Sequence, residues 1–215
     1  MPVIVVANPK GGVGKSTLAT HVAAYFAHQG HQVMLGDVDR QQSSRTWLSL
    51  RPSQAVPILG WEVRQQTRLT PPKGTTHAVL DTPAGLHGKR LDHVMQLADR
   101  ILVPLQPSIF DIYATRAFLD EVLAHRKSSR VPVGLVGMRV REGTIAADQL
   151  KAFVATLEVP VVAYLRDTQH YIQLAAHGLT LWDVAPSRVE KDLAQWRPIV
   201  DWLQGAPAPS PASST

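Results

Sequence analysis

The run Asn8-Pro9-Lys10-Gly11-Gly12-Val13-Gly14-Lys15-Ser16-Thr17 constrains this chain more than any other segment. Before it stands Val3-Ile4-Val5-Val6-Ala7, a continuous apolar run of the kind shown by a strand buried on both faces. After it, segment 16–28 places Leu18, Val22, Ala23 and Phe26 at helical spacing. A glycine-rich turn between strand and helix lets successive backbone N–H groups point inward around an anion, and the helix aims its positive end at the same place. In that setting the Lys15 ammonium reaches β- and γ-phosphates, and the Ser16 hydroxyl is placed to bind Mg²⁺. The loop therefore predicts a nucleotide site built from Lys10, Gly11, Gly12, Val13, Gly14, Lys15, Ser16 and Thr17.

The remainder of the chain fits such a loop. Short apolar runs at 32–36, 78–81, 100–104, 132–137 and 160–164 read as strands. Helical segments are expected near 43–50, 87–98, 111–127, 144–157, 168–177 and 187–203. Within the Pro- and Thr-rich stretch 51–76, Ile58–Val63 reads as an edge strand. Strand–helix alternation predicts an α/β fold: a single doubly wound, mostly parallel sheet flanked by helices, the P-loop NTPase fold. Residues 1–204 are expected to form one P-loop nucleotide-binding domain. Residues 205–215, Gly-Ala-Pro-Ala-Pro-Ser-Pro-Ala-Ser-Ser-Thr, are expected to be a disordered tail.

Composition narrows the chemistry. There is no Cys, which excludes disulfides, zinc–thiolate sites and thiol nucleophiles. The nine His show no metal-ligand spacing, and single His residues on helices are more often solvated or packed than ligating. No stretch approaches the roughly 18–20 apolar residues of a membrane span, and the N-terminus carries no signal-peptide pattern, so a cytoplasmic location is expected. The net charge of +5 comes from 22 Lys and Arg against 17 Asp and Glu, and 15 of the 22 are Arg. That bias suits phosphate partners, though a merely basic soluble protein would show it too.

Two acidic segments stand where a triphosphate site needs carboxylates, at the ends of neighbouring strands. In Gly36-Asp37-Val38-Asp39-Arg40-Gln41, residues two apart project similarly, so Asp37 and Asp39 can both face the loop. In Ala78-Val79-Leu80-Asp81-Thr82-Pro83-Ala84-Gly85 an apolar strand ends in Asp81, the Walker B arrangement that holds the Mg²⁺ shell. The following Thr-Pro-Ala-Gly is suited to sensing the γ-phosphate. A solvated acidic turn remains the alternative reading of the first segment; for the second it is that many apolar strands end in Asp without such a role.

The loop has an unusual front. Pro9 stands where the common pattern has Gly, and a second lysine, Lys10, precedes the glycines. Lys-Gly-Gly-Val-Gly-Lys-Ser resembles the deviant Walker A loop of the ParA/MinD class of ATPases. Asn-Pro-Lys is similar to the ParA branch, and Asp37-Val38-Asp39-Arg40-Gln41 resembles its Asp-x-Asp-Pro-Gln switch, with Arg40 replacing Pro. Pro104-Leu105-Gln106-Pro107-Ser108-Ile109-Phe110-Asp111 resembles the Pro-x-x-Pro-Ser-x-x-Asp stretch of small ParF-like partition ATPases. Ser108 or Asp111 also suits a helix cap. The likeness extends through Leu165–Tyr171 and Ala176–Trp182 to about residue 203. It departs at Gly137-Met138-Arg139, where many ParA proteins carry the Asn that contacts adenine.

The resemblance implies an ATPase that uses ATP and Mg²⁺ and hydrolyses slowly without a partner. Lys10 would reach across a face-to-face homodimer to the partner's nucleotide, and Asp39 would activate the attacking water. Ser16, Asp37 (through water) and Asp81 would hold the metal, so the catalytic set is Lys10, Lys15 and Asp39. Such ATPases coat nucleoid DNA without sequence preference. They move plasmids, chromosomes or protein clusters, are stimulated by a ParB-like adaptor, and in ParF-like members form filaments. DNA affinity would rest on Lys and Arg neutralising phosphates. The candidates are Arg126, Lys127 and Arg130, then Arg139 and Arg141, and also Arg166, Arg188, Lys191 and Arg197, each against the alternative of a solvated surface charge. A MinD-like, membrane-associated regulator is the alternative function. Against it, the uncharged tail offers no stable membrane anchor, and the apolar stripe Val189, Leu193, Trp196, Val200 and Leu203 reads as packed core. An iron–sulfur carrier, a further relative, is disfavoured by the absence of Cys.

Overall fold

The computed structural model describes residues 1–39, 41–61, 73–125 and 127–209. Strand β1 (Val3–Val6) leads through the glycine loop into α1 (Lys15–His28). There follow β2 (Val33–Asp37), α2 (Ser43–Leu50), β3 (Leu59–Trp61), β4 (His77–Asp81), α3 (Lys89–Leu97), β5 (Arg100–Leu105) and α4 (Ile109–Ala124). The chain continues through β6 (Val133–Val140), α5 (Ile145–Val154), β7 (Val161–Arg166), α6 (Gln169–Ala175) and α7 (Glu190–Leu203). The strands make one seven-stranded sheet in the order β3-β2-β4-β1-β5-β6-β7. Every pairing in it is parallel.

Alternation along the strands divides the core in two. Ile4, Val6, Val33 and Leu35 face a cluster completed by α1 and α7, while Val3, Val5, Ala78 and Leu80 face one completed by α3, α4 and α5. Strands covered on both faces must be apolar throughout, which is why β1 is an unbroken Val/Ile run. The same cover explains α7. Val189, Trp196, Val200 and Leu203 of its stripe are buried and Leu193 packs against them, so the stripe is core, as expected.

Several boundaries differ from expectation. Helix α4 begins at Ile109, two residues before the expected start, and ends at Ala124. Ser108 holds the capping position, but its side chain caps nothing. By contrast Thr144 and Thr168 cap α5 and α6 with their side chains. The C-terminal helix begins at Glu190, after a 3-10 turn at Pro186–Arg188. The expected edge strand is present as β3, parallel to β2; Val63, Arg40, Arg126 and tail residues 210–215 lie outside the described residues.

Candidate functional site

The loop lies at the carboxyl end of β1, the centre of the sheet. Gly12 (φ 76°) and Gly14 (φ 97°) are left-handed, a conformation that L side chains resist. A Cβ at Gly14 would also lie 2.8 Å from Met138 Cε of β6, the flexible end of a side chain that would have to shift. No acidic residue occupies the first turn of α1, so its free amides and positive end are left for an anion.

Asn8, which the sequence reading passed over, clips the loop in place. Its buried amide donates to the Pro104 carbonyl (2.8 Å) and Thr115 Oγ1 (2.9 Å), and its Oδ1 accepts from the Lys10 N–H. Gln106 Nε2 donates to the Gly12 carbonyl, and Gly85 N–H to the Pro9 carbonyl. The Pro104, Thr115 and Gln106 contacts span 96, 107 and 94 residues, so only an Asn at the end of an apolar strand hinted at the role.

The expected loop residues converge, with two exceptions, Val13 and Lys10. Gly11, Gly12, Gly14, Lys15, Ser16 and Thr17 line a cavity of about 1080 Å³ together with Asp37, Asp39 and the helix α3 side chains Lys89, Arg90 and His93. Val13 is buried beneath the loop. Lys10 stands outside the cavity lining, and its charge is felt instead by Asp111 in the first turn of α4. Lys15 Nζ folds back to donate to the Lys10 carbonyl at 2.6 Å. Burial lowers the Lys15 pKa, against the opposing pull of Asp81 and Asp39.

Asp81 and Asp37 are neighbours in parallel register. Burial raises the Asp81 pKa to about 6, although the Ser44 hydroxyl donates to its Oδ2 at 2.7 Å and the nearby Ser16 hydroxyl pulls the same way. Its Oδ1 is buried with no hydrogen-bond partner among the described residues. An orphaned, buried carboxylate oxygen beside a serine hydroxyl is a donor set that fits a hard divalent cation. Asp37 is engaged differently from expectation. Its Oδ1 accepts the Asp39 N–H, and its Oδ2 accepts the N–H groups of Ser44 and Arg45. It thereby does the capping of α2 that left-handed Gln42 cannot, and aims Ser44 at Asp81. Asp39 is half-buried on the cavity wall, with Oδ1 accepting from the Gln41 N–H.

The basic candidates do not share a surface. Lys127, whose Nζ donates to the Gln96 carbonyl, and exposed Arg130 lie at the amino end of β6. Arg139 and Arg141, close to them in sequence, lie at the opposite end of that strand. Arg139 lines the cavity, and Arg141 pairs with Asp167. Arg166 departs furthest from a free phosphate contact, since its guanidinium is bound to the buried Asp192. Arg188, Lys191 and Arg197 are exposed around the start of α7 and along it. Arg126 is outside the described residues.

A glycine loop closing on a helix N-terminus, at the head of a parallel sheet with carboxylates on adjacent strand ends, defines a P-loop nucleotide-binding protein. Residues 4–181 match the sequence model of the CobQ/CobB/MinD/ParA nucleotide binding domain, and the chain belongs to that family of P-loop ATPases. It is 28% identical over 214 residues to Maintenance of carboxysome distribution protein A of Gloeobacter kilaueensis, covering 94% of this chain and 93% of the relative. The fold is shared with MinD in the MinC:MinD cell division complex of Aquifex aeolicus, with a TM-score of 0.73, 15% identity and 98% of each chain covered. It is also shared with a Cyanothece McdA–ATP complex, with a TM-score of 0.69, 16% identity, and 93% and 96% covered. Among the described residues no helix is long and apolar enough to cross a membrane.

Proposed function

We propose that this chain is a ParA-like, Mg²⁺-dependent ATPase that closes into an ATP-bound sandwich dimer and positions cargo on DNA. The observation that carries the reading is the split between its two loop lysines. Lys15 is buried within the cavity, whereas Lys10 projects outside it toward α4. A lysine at the loop's front that leaves its own cavity is suited to a nucleotide held by a second copy. The surface beside it is apolar and uncovered: Ile109, Phe110 and Tyr113 are 55%, 75% and 68% exposed.

In this reading the loop amides and Lys15 hold the β- and γ-phosphates of ATP, and Asp39 orients the attacking water. Ser16 and Asp81 hold Mg²⁺, with Asp37 contributing through the Ser44 arrangement and through water. The metal supplies charge neutralisation on the transferring phosphoryl group. A partner protein of the ParB type accelerates hydrolysis, and the dimer rides on nucleoid DNA through exposed cations such as Arg130, Arg188, Lys191 and Arg197. The full-length likeness to a carboxysome-distribution protein supports protein clusters as the cargo, beside plasmids or chromosomes.

Light scattering on the Lys10→Ala variant is the direct test. It should retain Mg·ATP binding and lose ATP-dependent dimers, and dimers that persist would sink the proposal. Asp39→Ala should instead accumulate them. In the wild type, ATP-dependent binding to random duplex DNA should weaken steeply with salt, while sedimentation with anionic liposomes would favour a membrane regulator.

A further inference from the structure

Helix α2 starts in an unusual way. Gln42, at its capping position, has φ 51° and ψ 41°, and its side chain caps nothing. A left-handed L residue persists where the surroundings impose it. The Gln42 N–H closes this turn on the Asp39 carbonyl, and the chain comes back so that Ser44 falls against Asp81, the last residue of β4. Asp37 holds the start of the helix from outside it, its Oδ2 accepting the Ser44 N–H at 2.8 Å.

Ser44 is fully buried. Gln41, Gln42 and Ser43 line the cavity and Ser44 does not, so its hydroxyl meets Asp81 rather than a ligand. That hydroxyl donates to Asp81 Oδ2 at 2.7 Å, while Oδ1 has no partner among the described residues.

The two ends of that carboxylate are thus treated differently. A carboxylate turns softly about its last torsion. Holding one oxygen stops that rotation and fixes where the other points. Asp192, which ties α7 to β7 and α6, has both oxygens held, by Arg166 and His170. Asp81 is held on one side alone, beside the Ser16 that the loop offers to a cation.

We infer, on the reading of the cavity as a Mg·ATP site, that Ser44 is a positioning residue for the divalent cation. Its hydroxyl locks the Asp81 carboxylate with Oδ1 turned to the metal shell, and Asp37 locks Ser44 by its backbone. The strained turn at Gln42 is what brings the two together. Partners that stand behind a metal's ligands typically carry about 10- to 100-fold in metal affinity.

Calorimetry of the full chain with a non-hydrolysable ATP analogue, in EDTA and in Mg²⁺, tests this. The ratio of the two affinities measures how strongly the metal supports the nucleotide. In Ser44→Ala that ratio should fall about 10- to 100-fold. Affinity in EDTA should stay at the wild-type value, which also shows that the variant is folded. Ser44→Thr keeps the hydroxyl and should recover the ratio. The bond from the Asp39 N–H to Asp37 Oδ1 does not involve Ser44. Ser44→Ala should therefore regain nearly wild-type ATP turnover once Mg²⁺ is raised to saturation. An unchanged ratio in Ser44→Ala overturns the inference and leaves the ATPase reading intact. So does a variant that loses affinity equally with and without Mg²⁺, which would make the bond a structural tie. A wild type that binds the nucleotide no better in Mg²⁺ than in EDTA overturns the metal site itself, and one that binds no nucleotide overturns the ATPase reading.

Discussion

Asp183, in a 3-10 turn at Leu181–Asp183, has a side chain only 3% exposed and is surrounded by donors. Arg51 reaches both its oxygens, and His28 and the Thr180 hydroxyl complete the set. Burial alone would raise its pKa, but these partners outweigh burial and hold it at about 2. Asp192 follows the same rule, with Arg166 and His170 on a fully buried carboxylate. At the nucleotide end Asp81 is as buried, yet one oxygen is unpartnered and its pKa rises to about 6. The contrast separates two uses of a buried carboxylate. Where every lone pair is answered from within the protein, the group ties elements together; where one is left open, the group is held for something that arrives.

Removing one partner should affect the two regions oppositely. Asp183→Asn leaves the buried Arg51 without its counter-charge, and should cost about 3–5 kcal/mol in urea unfolding; a loss below about 1 kcal/mol would break the contrast. Asp81→Asn should lower Mg²⁺-dependent ATP hydrolysis by about 100- to 1000-fold. Its unfolding free energy should stay within about 1 kcal/mol of wild type, since burial already disfavours the charge, one oxygen lacks a partner, and Asn keeps an oxygen for the Ser44 hydroxyl. A large loss of stability would show that Asp81 is structural after all.

The third and smallest effect is a pH dependence. His21 is fully buried between Tyr171 and Trp196, with Nδ1–H donating to the Thr17 carbonyl and Nε2 accepting from Leu181 N–H. Burial lowers its pKa to about 4. Below pH 6.5 the unfolded chain takes up the proton and the folded chain does not, so stability falls as pH drops from about 6.5 to 4. The loss from this group is about 3 kcal/mol. His77, lowered in the same direction mainly by burial and then by His31, steepens the slope. Asp81, raised to about 6, contributes with the opposite sign in this window, so the measure is the difference between wild type and His21→Gln: the variant should lose less stability on acidification than wild type. Parallel urea-midpoint profiles for the two would mean that His21 titrates normally.

What could be read in advance follows from the range of the interactions. The loop, Asp39 and Asp81 were legible because strand, turn and helix are contiguous and each residue type answers a local need. Asn8 was not, because its partners Pro104 and Thr115 meet it only when β5 and α4 pack beside β1. The occupation of Asp37 by α2, and of Arg166 by Asp192, is likewise settled by neighbours that sequence spacing does not reveal. Arg139 illustrates the same limit. It is close to Arg130 in sequence, yet the two lie at opposite ends of one extended strand.

By itself, then, the order of residues determined the phosphate loop, the strand–helix alternation and the apolar runs that require a doubly covered parallel sheet. These depend on backbone preference and hydrophobic periodicity, which act over a few residues. The tertiary structure decided which charges are answered and which are open: Asp183 paired, Asp81 not, Lys15 inside the cavity, Lys10 outside it, Arg139 on the cavity wall. Those outcomes depend on burial and on partners brought together by packing, where the energy of a charge is set by what surrounds it rather than by what precedes it in the chain.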